Sequence, residues 1–306
     1  MLASASFLAL FVMACSSDTS SLAGADGKGG GGTRNRDDDA GACATAACSG
    51  DGGASDGAPR TDGATSPPGK GSGGTGGAIG ASVPLPGCTG CTVHVPSGYT
   101  TSQPAPLLVA LHGDEGPGAG VPSVIGLWSG AADKHGYLVL ALACSADIGC
   151  ADGNWSGWLA NGGYQISQTN IDFINAQAAK VESLYDVDTK REFLTGYSGG
   201  AYVMGYFAQA QASRYAAVAF VAGGMPAWTG TGHACPARKI PGYFLGGDGD
   251  FRTSGQMSDT ANSFKTCGEE ITLDVVMGAD HGATIASLGT GRADTILSWF
   301  ATRALP

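Results

Sequence analysis

The stretch that decides the fold runs from Arg191 to Val203 and reads Arg-Glu-Phe-Leu-Thr-Gly-Tyr-Ser-Gly-Gly-Ala-Tyr-Val. Its first residues favour a strand and the residues from Ala201 to Gln211 favour a helix, which leaves Gly-Tyr-Ser-Gly-Gly as a sharp turn. This is the pattern G-x-S-x-G, in which the outer glycines leave room for a strained turn that lifts one serine hydroxyl above a sheet. We call this turn, residues 196–200, the elbow. The pattern indicates Ser198 as a candidate nucleophile.

The segments on either side of this stretch alternate between apolar, strand-like runs and helix-like runs. Strands are predicted at 91–96, 106–111, 136–143, 191–195, 215–223, 240–246 and 271–277, and helices at 124–135, 170–185, 201–211 and 295–305. Apolar strands separated by helices predict an α/β fold with a mostly parallel central sheet and helices on both faces. Functional residues are then expected at the carboxyl ends of the strands.

A serine nucleophile needs a base, and the sequence offers five histidines for that role. His281 fits best because it lies in a loop after the predicted strand 271–277, close to the carboxyl end of the chain. His233 also lies in a predicted loop and is the second candidate. His94 lies within a predicted strand and His135 ends a predicted helix, so both are expected to be structural.

The base in turn needs a carboxylate, which in this architecture lies between the serine and the histidine in the sequence. The segment after the predicted strand 240–246 holds two aspartates, Asp248 and Asp250. Asp250 is preferred because it lies further beyond the strand end, where the loop can turn towards the histidine, and Asp248 remains the alternative. Asp280, next to His281, is interpreted as a loop residue.

The segment 111–116 follows the strand 106–111 and reads Leu-His-Gly-Asp-Glu-Gly. We expect it to supply one backbone amide of an oxyanion hole, that of Asp114, while Gly199 supplies the other. His112 is interpreted as a residue that shapes the loop. A metal site formed by His112, Asp114 and Glu115 is disfavoured because their spacing matches no common zinc signature, and no metal or cofactor is expected.

Two tryptophans, Trp155 and Trp158, lie in a polar, glycine-rich stretch after the strand 136–143. They could line an acyl or aromatic substrate pocket. Alternatively, buried indoles could simply anchor the loop. The sequence leaves both interpretations open.

The first 82 residues differ in composition from the rest. Residues 1–14 are apolar but too short to span a bilayer, and they resemble the hydrophobic part of a secretory signal peptide. Val12 to Cys15 resembles a bacterial lipobox, in which the cysteine is lipidated, and the alternative is a plain signal peptide with a chance cysteine. Residues 16–82 are rich in Gly, Ser and Asp and poor in large apolar side chains, which predicts a disordered linker. Residues 83–306 are predicted to form one catalytic domain. The expected location is therefore the bacterial cell envelope, attached to the membrane through Cys15, or the exterior.

Charge and cysteine content narrow the class of partner and compartment. The net charge is −10 and no basic patch is present, which argues against nucleic acid as a partner. Of nine cysteines, eight remain when Cys15 is set aside, and an even number suits an oxidising compartment. Proximity in the sequence suggests the pairs Cys43–Cys48, Cys88–Cys91, Cys144–Cys150 and Cys235–Cys267, although sequence alone does not fix connectivity.

Together these segments resemble the α/β-hydrolase superfamily and, within it, secreted polyhydroxybutyrate depolymerases and feruloyl-esterase-like carbohydrate esterases. The resemblance spans roughly 88–306 and is carried by the segments 95–99, 107–113, 185–188, 191–200 and 215–223. It implies an α/β-hydrolase fold and a serine esterase with Ser198 as nucleophile, Asp250 as acid and His281 as base. We expect the protein to be a monomer. A non-catalytic binding protein on the same scaffold and a serine peptidase are the alternatives.

The chain departs from the family pattern at three positions. The family commonly carries Asn or another polar residue where Gly199 stands, a small residue or Cys where Asp114 stands, and Pro where Phe251 follows Asp250. None of these departures removes a catalytic group. They leave the substrate open between acetylated or feruloylated polysaccharide, polyhydroxyalkanoate oligomers and simple esters.

Overall fold

The computed structural model of the protein describes residues 68–148, 150, 153–155, 168–225 and 235–306. Within these residues, eight strands form one sheet. The strands are β1 (Val83–Pro84), β2 (Thr92–His94), β3 (Ala105–Leu111), β4 (Leu138–Leu142), β5 (Val187–Tyr197), β6 (Ala217–Val221), β7 (Gly242–Gly247) and β8 (Ile271–Val276). The predicted strands are thus all present, with ends that shift by a few residues.

The sheet is mostly parallel. Its strand order is β1-β2-β4-β3-β5-β6-β7-β8, with β1 and β2 antiparallel to their neighbours and the other pairs parallel. The loops that follow β3, β4, β5, β6, β7 and β8 therefore emerge at one edge of the sheet. The predicted functional residues after β3, β5, β7 and β8 share this edge.

Helices cover both faces of the sheet, as predicted. They are α1 (Gly120–His135), α2 (Gln168–Leu184), α3 (Gly199–Gly205), α4 (Ser258–Thr266), α5 (His281–Ala286) and α6 (Ala293–Ala301). One apolar layer packs Leu108 and Phe193 of the sheet against Trp128 of α1 and Phe300 of α6. The other packs alternate residues of the same strands against α2, α3 and α4. Burial on both faces explains why the central strands are continuous apolar runs.

The helix predictions were incomplete. The helix after the elbow was predicted to reach Gln211, but α3 ends at Gly205 and only a single 3₁₀ turn follows at Gln209–Gln211. At Gly205 the chain passes close to the next loop, since a β-carbon there would lie 2.0 Å from the Met225 carbonyl oxygen. The helix α4 was not predicted, because its sequence is mostly polar.

The described cysteines pair as their proximity in the sequence suggests. Disulfide bonds join Cys88 to Cys91, Cys144 to Cys150 and Cys235 to Cys267. The suggested pair Cys43–Cys48, the lipobox and Cys15 lie outside the described residues. None of the helices in the described part of the chain is long and apolar enough to cross a bilayer.

The segment 69–80, here called the strap, belongs to the folded part, although its composition assigned it to the linker. The Ser72 amide donates to the Val187 carbonyl over 2.8 Å, and the Tyr185 hydroxyl donates to the Ala78 carbonyl over 2.7 Å. A β-carbon at Gly77 would lie 2.3 Å from the Tyr185 ring, so only glycine permits this approach. The predicted boundary at residue 83 is therefore wrong, because backbone hydrogen bonds hold the strap without large apolar side chains.

We expect Ser72→Ala to lower the free energy of unfolding by roughly 1–3 kcal/mol. The Ser72 hydroxyl shares its one proton between the carbonyls of Glu182 and Tyr185 and accepts from the Val187 amide over 3.0 Å, so the substitution removes a hydrogen-bond partner from each. Urea unfolding of both proteins measures the change. The control is Ser82→Ala, which changes an exposed serine beyond the strap. We expect it to change the free energy of unfolding by less than about 0.5 kcal/mol. Equal effects of the two substitutions would contradict a structural role for the strap.

A buried charge cluster lies where α2 packs on β5, at the end of the sheet opposite the elbow. Arg214 donates to the carboxylates of Glu182 and Glu192, the latter over 2.8 Å. The Glu192 side chain is 3% exposed. Burial raises the pKa of Glu192 to about 8, with Arg214 acting in the opposite direction and Glu182 raising the pKa further. Glu192 is therefore expected to take up a proton on folding near neutral pH.

This cluster makes stability depend on pH. Because the folded pKa of Glu192 lies above the unfolded one, the free energy of unfolding should fall as pH rises from about 4.5 to about 8. Glu192→Gln, which mimics the protonated form, should be more stable than the wild type at pH 8 by roughly 1–2 kcal/mol, with little difference at pH 5. Urea unfolding at the two pH values measures this, with the exposed Glu270→Gln as control. An undiminished pH slope in Glu192→Gln would assign the titration to another group.

Candidate active site

The turn between β5 and α3 holds Ser198 in an unusual backbone conformation. Its φ is 50° and its ψ is −117°, and among the described non-glycine residues only Ser198 and Ala222 have positive φ. The glycines of the motif permit the turn: a β-carbon at Gly196 would lie 2.7 Å from the Gly200 carbonyl carbon, and one at Gly200 would lie 2.5 Å from the His112 carbonyl oxygen. Strain of this kind persists where the surrounding packing enforces it, which is typical of functional turns.

Three side chains from different loops are hydrogen-bonded in series at the carboxyl edge of the sheet. The His281 Nε2 atom lies 3.0 Å from the Ser198 Oγ atom. On the other side of the ring, the Nδ1 atom lies 2.6 Å from Asp250 Oδ2. With a proton on Nδ1, the imidazole donates to Asp250 and accepts from the Ser198 hydroxyl. The structure therefore brings together the three residues that the sequence singled out as nucleophile, base and acid.

Asp250 is held as an ionised acceptor. Its side chain is fully buried, while that of His281 is 28% exposed. Burial alone would raise the pKa of Asp250, but the hydrogen bond with His281, the bond from the Arg252 amide and the charges of both residues outweigh it and hold the pKa below the ordinary value. The Arg252 amide donates to Oδ1 over 3.0 Å, which leaves Oδ2 for His281.

The two alternative acids support the loops instead. Asp248 is exposed, and its Oδ1 atom accepts from the Gly278 amide over 2.5 Å, so it ties the loop after β7 to the segment before His281. Asp280 caps α5, because its Oδ1 atom accepts from the Ala283 amide over 2.8 Å. His281 is consequently the first residue of a short helix and not a loop residue as predicted. The second candidate base, His233, lies outside the described residues.

The loop after β3 lies directly against the elbow. A β-carbon at Gly113 would lie 3.2 Å from the Ser198 β-carbon, and one at Gly199 would lie 2.2 Å from Asp114 Oδ1. Asp114 thus fills the space that a side chain on residue 199 would need. The two residues expected to supply oxyanion amides, Asp114 and Gly199, are therefore neighbours next to the Ser198 hydroxyl.

His112 shapes this loop as a neutral imidazole. Its Nδ1 atom lies 2.6 Å from the Gly113 carbonyl oxygen, to which it donates, and its Nε2 atom accepts from the Cys144 amide over 3.3 Å. Burial lowers the pKa of His112 despite the bond to Gly113 and the nearby carboxylates. In the ranges that the structure covers, no cluster of three or more His, Cys, Asp or Glu side chains is placed to hold a metal ion.

The burial of Trp155 favours the interpretation in which its indole anchors the loop. It is fully buried and its ring packs against that of His112, with centroids 5.7 Å apart. Trp158, the other predicted pocket residue, lies outside the described residues. The neighbouring Asn154 also supports the loop, because its Oδ1 atom accepts from the Gly116 amide over 3.1 Å.

A cavity of about 610 Å³ lies beside the loop after β3. Its walls come from the start of α1, the loop after β4 and the Cys88–Cys91 turn, and most of them are apolar or glycine. His112 and Gly116 of the loop after β3 contribute to the lining. The volume is in the range of small-molecule pockets, and sequence patterns gave no signal for it because five separated segments contribute to its lining.

Comparison with solved structures identifies the fold. The esterase PE8 is 21% identical over 68% of this chain and 99% of its own, with a TM-score of 0.53. A thermostable esterase is 16% identical over 70% of this chain and 59% of its own, with a TM-score of 0.51. A Bacteroides ovatus protein assigned as a dipeptidyl aminopeptidase IV is 13% identical over 70% of this chain and 33% of its own, with a TM-score of 0.50.

These likenesses show that the chain has the α/β-hydrolase fold, which confirms the fold class predicted from the sequence. The chain spans about three fifths of the thermostable esterase and a third of the peptidase-like protein. No protein-family model and no curated protein match the sequence. Since esterases and a peptidase-like protein share this fold, the fold alone leaves the reaction open.

Proposed function

We propose that this chain, an α/β-hydrolase by fold, is a serine hydrolase that cleaves carboxylic esters. The observation that carries the proposal is the series Ser198, His281 and Asp250, joined over 3.0 and 2.6 Å on a strained turn. A binding protein would have no need of a serine held under backbone strain against an oriented imidazole. The proposal therefore favours catalysis over a purely binding role for the scaffold.

In the first half of the reaction, the Ser198 Oγ atom attacks the ester carbonyl while His281 Nε2 takes the hydroxyl proton. The amides of Gly199 and Asp114 hold the oxyanion of the tetrahedral intermediate. As the intermediate collapses, His281 returns the proton to the leaving alcohol and the acyl group stays on Ser198. Asp250 remains ionised throughout, orients the imidazole and stabilises its charged form.

In the second half, water attacks the acyl-enzyme and His281 Nε2 accepts its proton. Collapse of the second intermediate breaks the bond to Ser198, which recovers its proton from His281, and releases the carboxylic acid. No metal or cofactor enters either half. In this division of roles the proton moves only between His281 Nε2 and the reacting oxygens, while the buried carboxylate of Asp250 stays ionised and takes no part in the transfer.

The candidate substrates are taken from the resemblance and are polyhydroxybutyrate, feruloyl and acetyl esters. The largely apolar cavity of about 610 Å³ beside the loop after β3 is a candidate site for an uncharged acyl or alcohol group. The three disulfide bonds fit an oxidising compartment. We therefore extend the proposal to a secreted or lipid-anchored enzyme, with Cys15 as the lipidation site.

The proposal is tested by two measurements on the purified protein. A fluorophosphonate probe should label the chain at Ser198, located by mass spectrometry of the labelled peptide. A panel of p-nitrophenyl esters, methyl ferulate, acetylxylan, polyhydroxybutyrate and dipeptide amides should show hydrolysis of one or more esters and little cleavage of the amides. Labelling with amide cleavage would indicate a peptidase, and absence of both labelling and hydrolysis would indicate a binding protein.

A further inference from the structure

Three consecutive residues of the loop after β3, Gly113 to Glu115, contact the two residues that flank Ser198 in the elbow. Gly113 packs against the Tyr197 ring, since a β-carbon on residue 113 would lie 2.9 Å from Tyr197 Cε2. Asp114 packs against Gly199 in the same way. The third contact is a hydrogen bond, in which the Tyr197 hydroxyl donates to Glu115 Oε1 over 2.8 Å. The loop therefore contacts the elbow on both sides of Ser198.

The elbow partner in this bond is a fixed point. Tyr197 ends β5 and is 2% exposed, in the same apolar layer as α1 and α6. Burial raises the pKa of Tyr197 well above its usual range, and the bond to Glu115 raises it further. The hydroxyl consequently keeps its proton and donates over the whole neutral pH range.

The loop partner, in contrast, belongs to a segment with little stiffness of its own. Glu115 is exposed, and the glycines at 116 and 118 both have φ of 80°. The bond from the Gly116 amide to Asn154 holds the far side of the loop, and His112 holds its base. The bond from Tyr197 holds the loop at Glu115, one residue from the Asp114 amide.

We propose that Tyr197 and Glu115 are positioning residues that set the Asp114 amide beside the Gly199 amide, so that both meet the developing oxyanion. The inference rests on the proposed function of Ser198 and names a further part of the same site. Backbone donors are effective when they are fixed in place before charge develops. A small displacement of one amide therefore reduces the stabilisation of the transition state more than the binding of the substrate. Loss of the bond should therefore lower kcat and leave KM nearly unchanged.

Four variants test the pair by ester hydrolysis. We expect Tyr197→Phe and Glu115→Ala each to lower kcat by roughly tenfold, with KM within about twofold, since loss of a whole oxyanion donor costs about 10²–10³. Glu115→Gln keeps an acceptor oxygen and should stay within about threefold of the wild type. The double variant should be no slower than the single ones, because both remove the same bond.

Tyr243→Phe is the matched control. Tyr243 is also buried, and its hydroxyl donates to the carboxylate of Asp274 over 2.6 Å. It lies on β7, however, and its hydroxyl bonds to β8 and not to the loop after β3. We expect this variant to match Tyr197→Phe in lost stability and to keep the wild-type kcat. Equal losses of kcat in the two variants would overturn the proposal, and so would a rise in KM without a fall in kcat.

Hydrogen exchange separates failure of this inference from failure of the proposed function. If the wild type hydrolyses esters and Tyr197→Phe keeps full kcat, the positioning role is wrong while the serine hydrolase stands. If the wild type hydrolyses no ester, amide exchange still reports on the loop. Faster exchange at residues 113–116 in Tyr197→Phe but not in Tyr243→Phe would support the pair, and unchanged exchange would overturn it.

Discussion

Replacing Ser198 by alanine is expected to lower kcat for p-nitrophenyl ester hydrolysis by roughly 10⁴–10⁶-fold, with KM unchanged. The reason is that the Ser198 Oγ atom is the nucleophile in the proposed reaction, and the hydrogen bond to His281 Nε2 has no other purpose in the fold. Residual hydrolysis should come from the oxyanion amides alone. Initial rates over a range of ester concentrations, with a higher enzyme concentration for the variant than for the wild type, measure the loss of kcat.

The alanine variant should stay folded, because alanine is smaller than serine and the turn is enforced by close contacts of Gly196 and Gly200. Near-ultraviolet circular dichroism checks this. Ser254→Ala, an exposed serine four residues after Asp250, is the control and should keep kcat within about twofold. Full activity in Ser198→Ala would show that the elbow is not the reactive centre and would leave the binding-protein alternative in place.

The sheet could be predicted from the sequence because its central strands carry their own signal. β3, β4 and β6 are buried on both faces, so each appears as an uninterrupted apolar run of five to seven residues. The strap carried no such signal. Its glycines contribute contacts through the backbone, and composition records only the absence of large side chains, so the same residues looked like linker.

The triad could be predicted because chain order and strand ends restrict which residues can meet. Ser198, Asp250 and His281 follow β5, β7 and β8, whose carboxyl ends share one edge of the sheet. The choice of Asp250 over Asp248 followed from its distance beyond the strand. In the structure the difference is one of environment: Asp250 is buried against His281, and Asp248 is exposed and binds a backbone amide.

Side-chain contacts between loops could not be predicted in this way. From the sequence, Asp114 and Gly199 were two unrelated departures from the family pattern. The structure makes them one feature, because the Asp114 carboxylate occupies the space that a β-carbon on residue 199 would need. The bond between Tyr197 and Glu115 joins residues 82 positions apart, and no pattern within either segment indicates it.

Asp250→Asn should lower kcat by roughly 10³–10⁴-fold while KM and the fold are retained. Oδ1 of Asp250 accepts from the Arg252 amide over 3.0 Å, so the carbonyl oxygen of asparagine is expected to keep that bond. Its NH₂ group then takes the place of Oδ2 and faces His281 Nδ1. Because an NH₂ group cannot accept, His281 must carry its proton on Nε2, and it can no longer take the proton of Ser198. Steady-state rates and the rate of fluorophosphonate labelling should fall together.

Asp248→Asn is the matched control for this change. Asp248 lies two residues away on the same loop, and its Oδ1 atom accepts from the Gly278 amide, a bond that an asparagine carbonyl can also accept. We therefore expect kcat within about threefold of the wild type, since neither the tautomer nor the position of His281 changes. If Asp248→Asn lost as much activity as Asp250→Asn, the acid would have to be reassigned. If only Asp250→Asn lost it, the effect would belong to the tautomer of His281, because both substitutions remove one negative charge from the same loop.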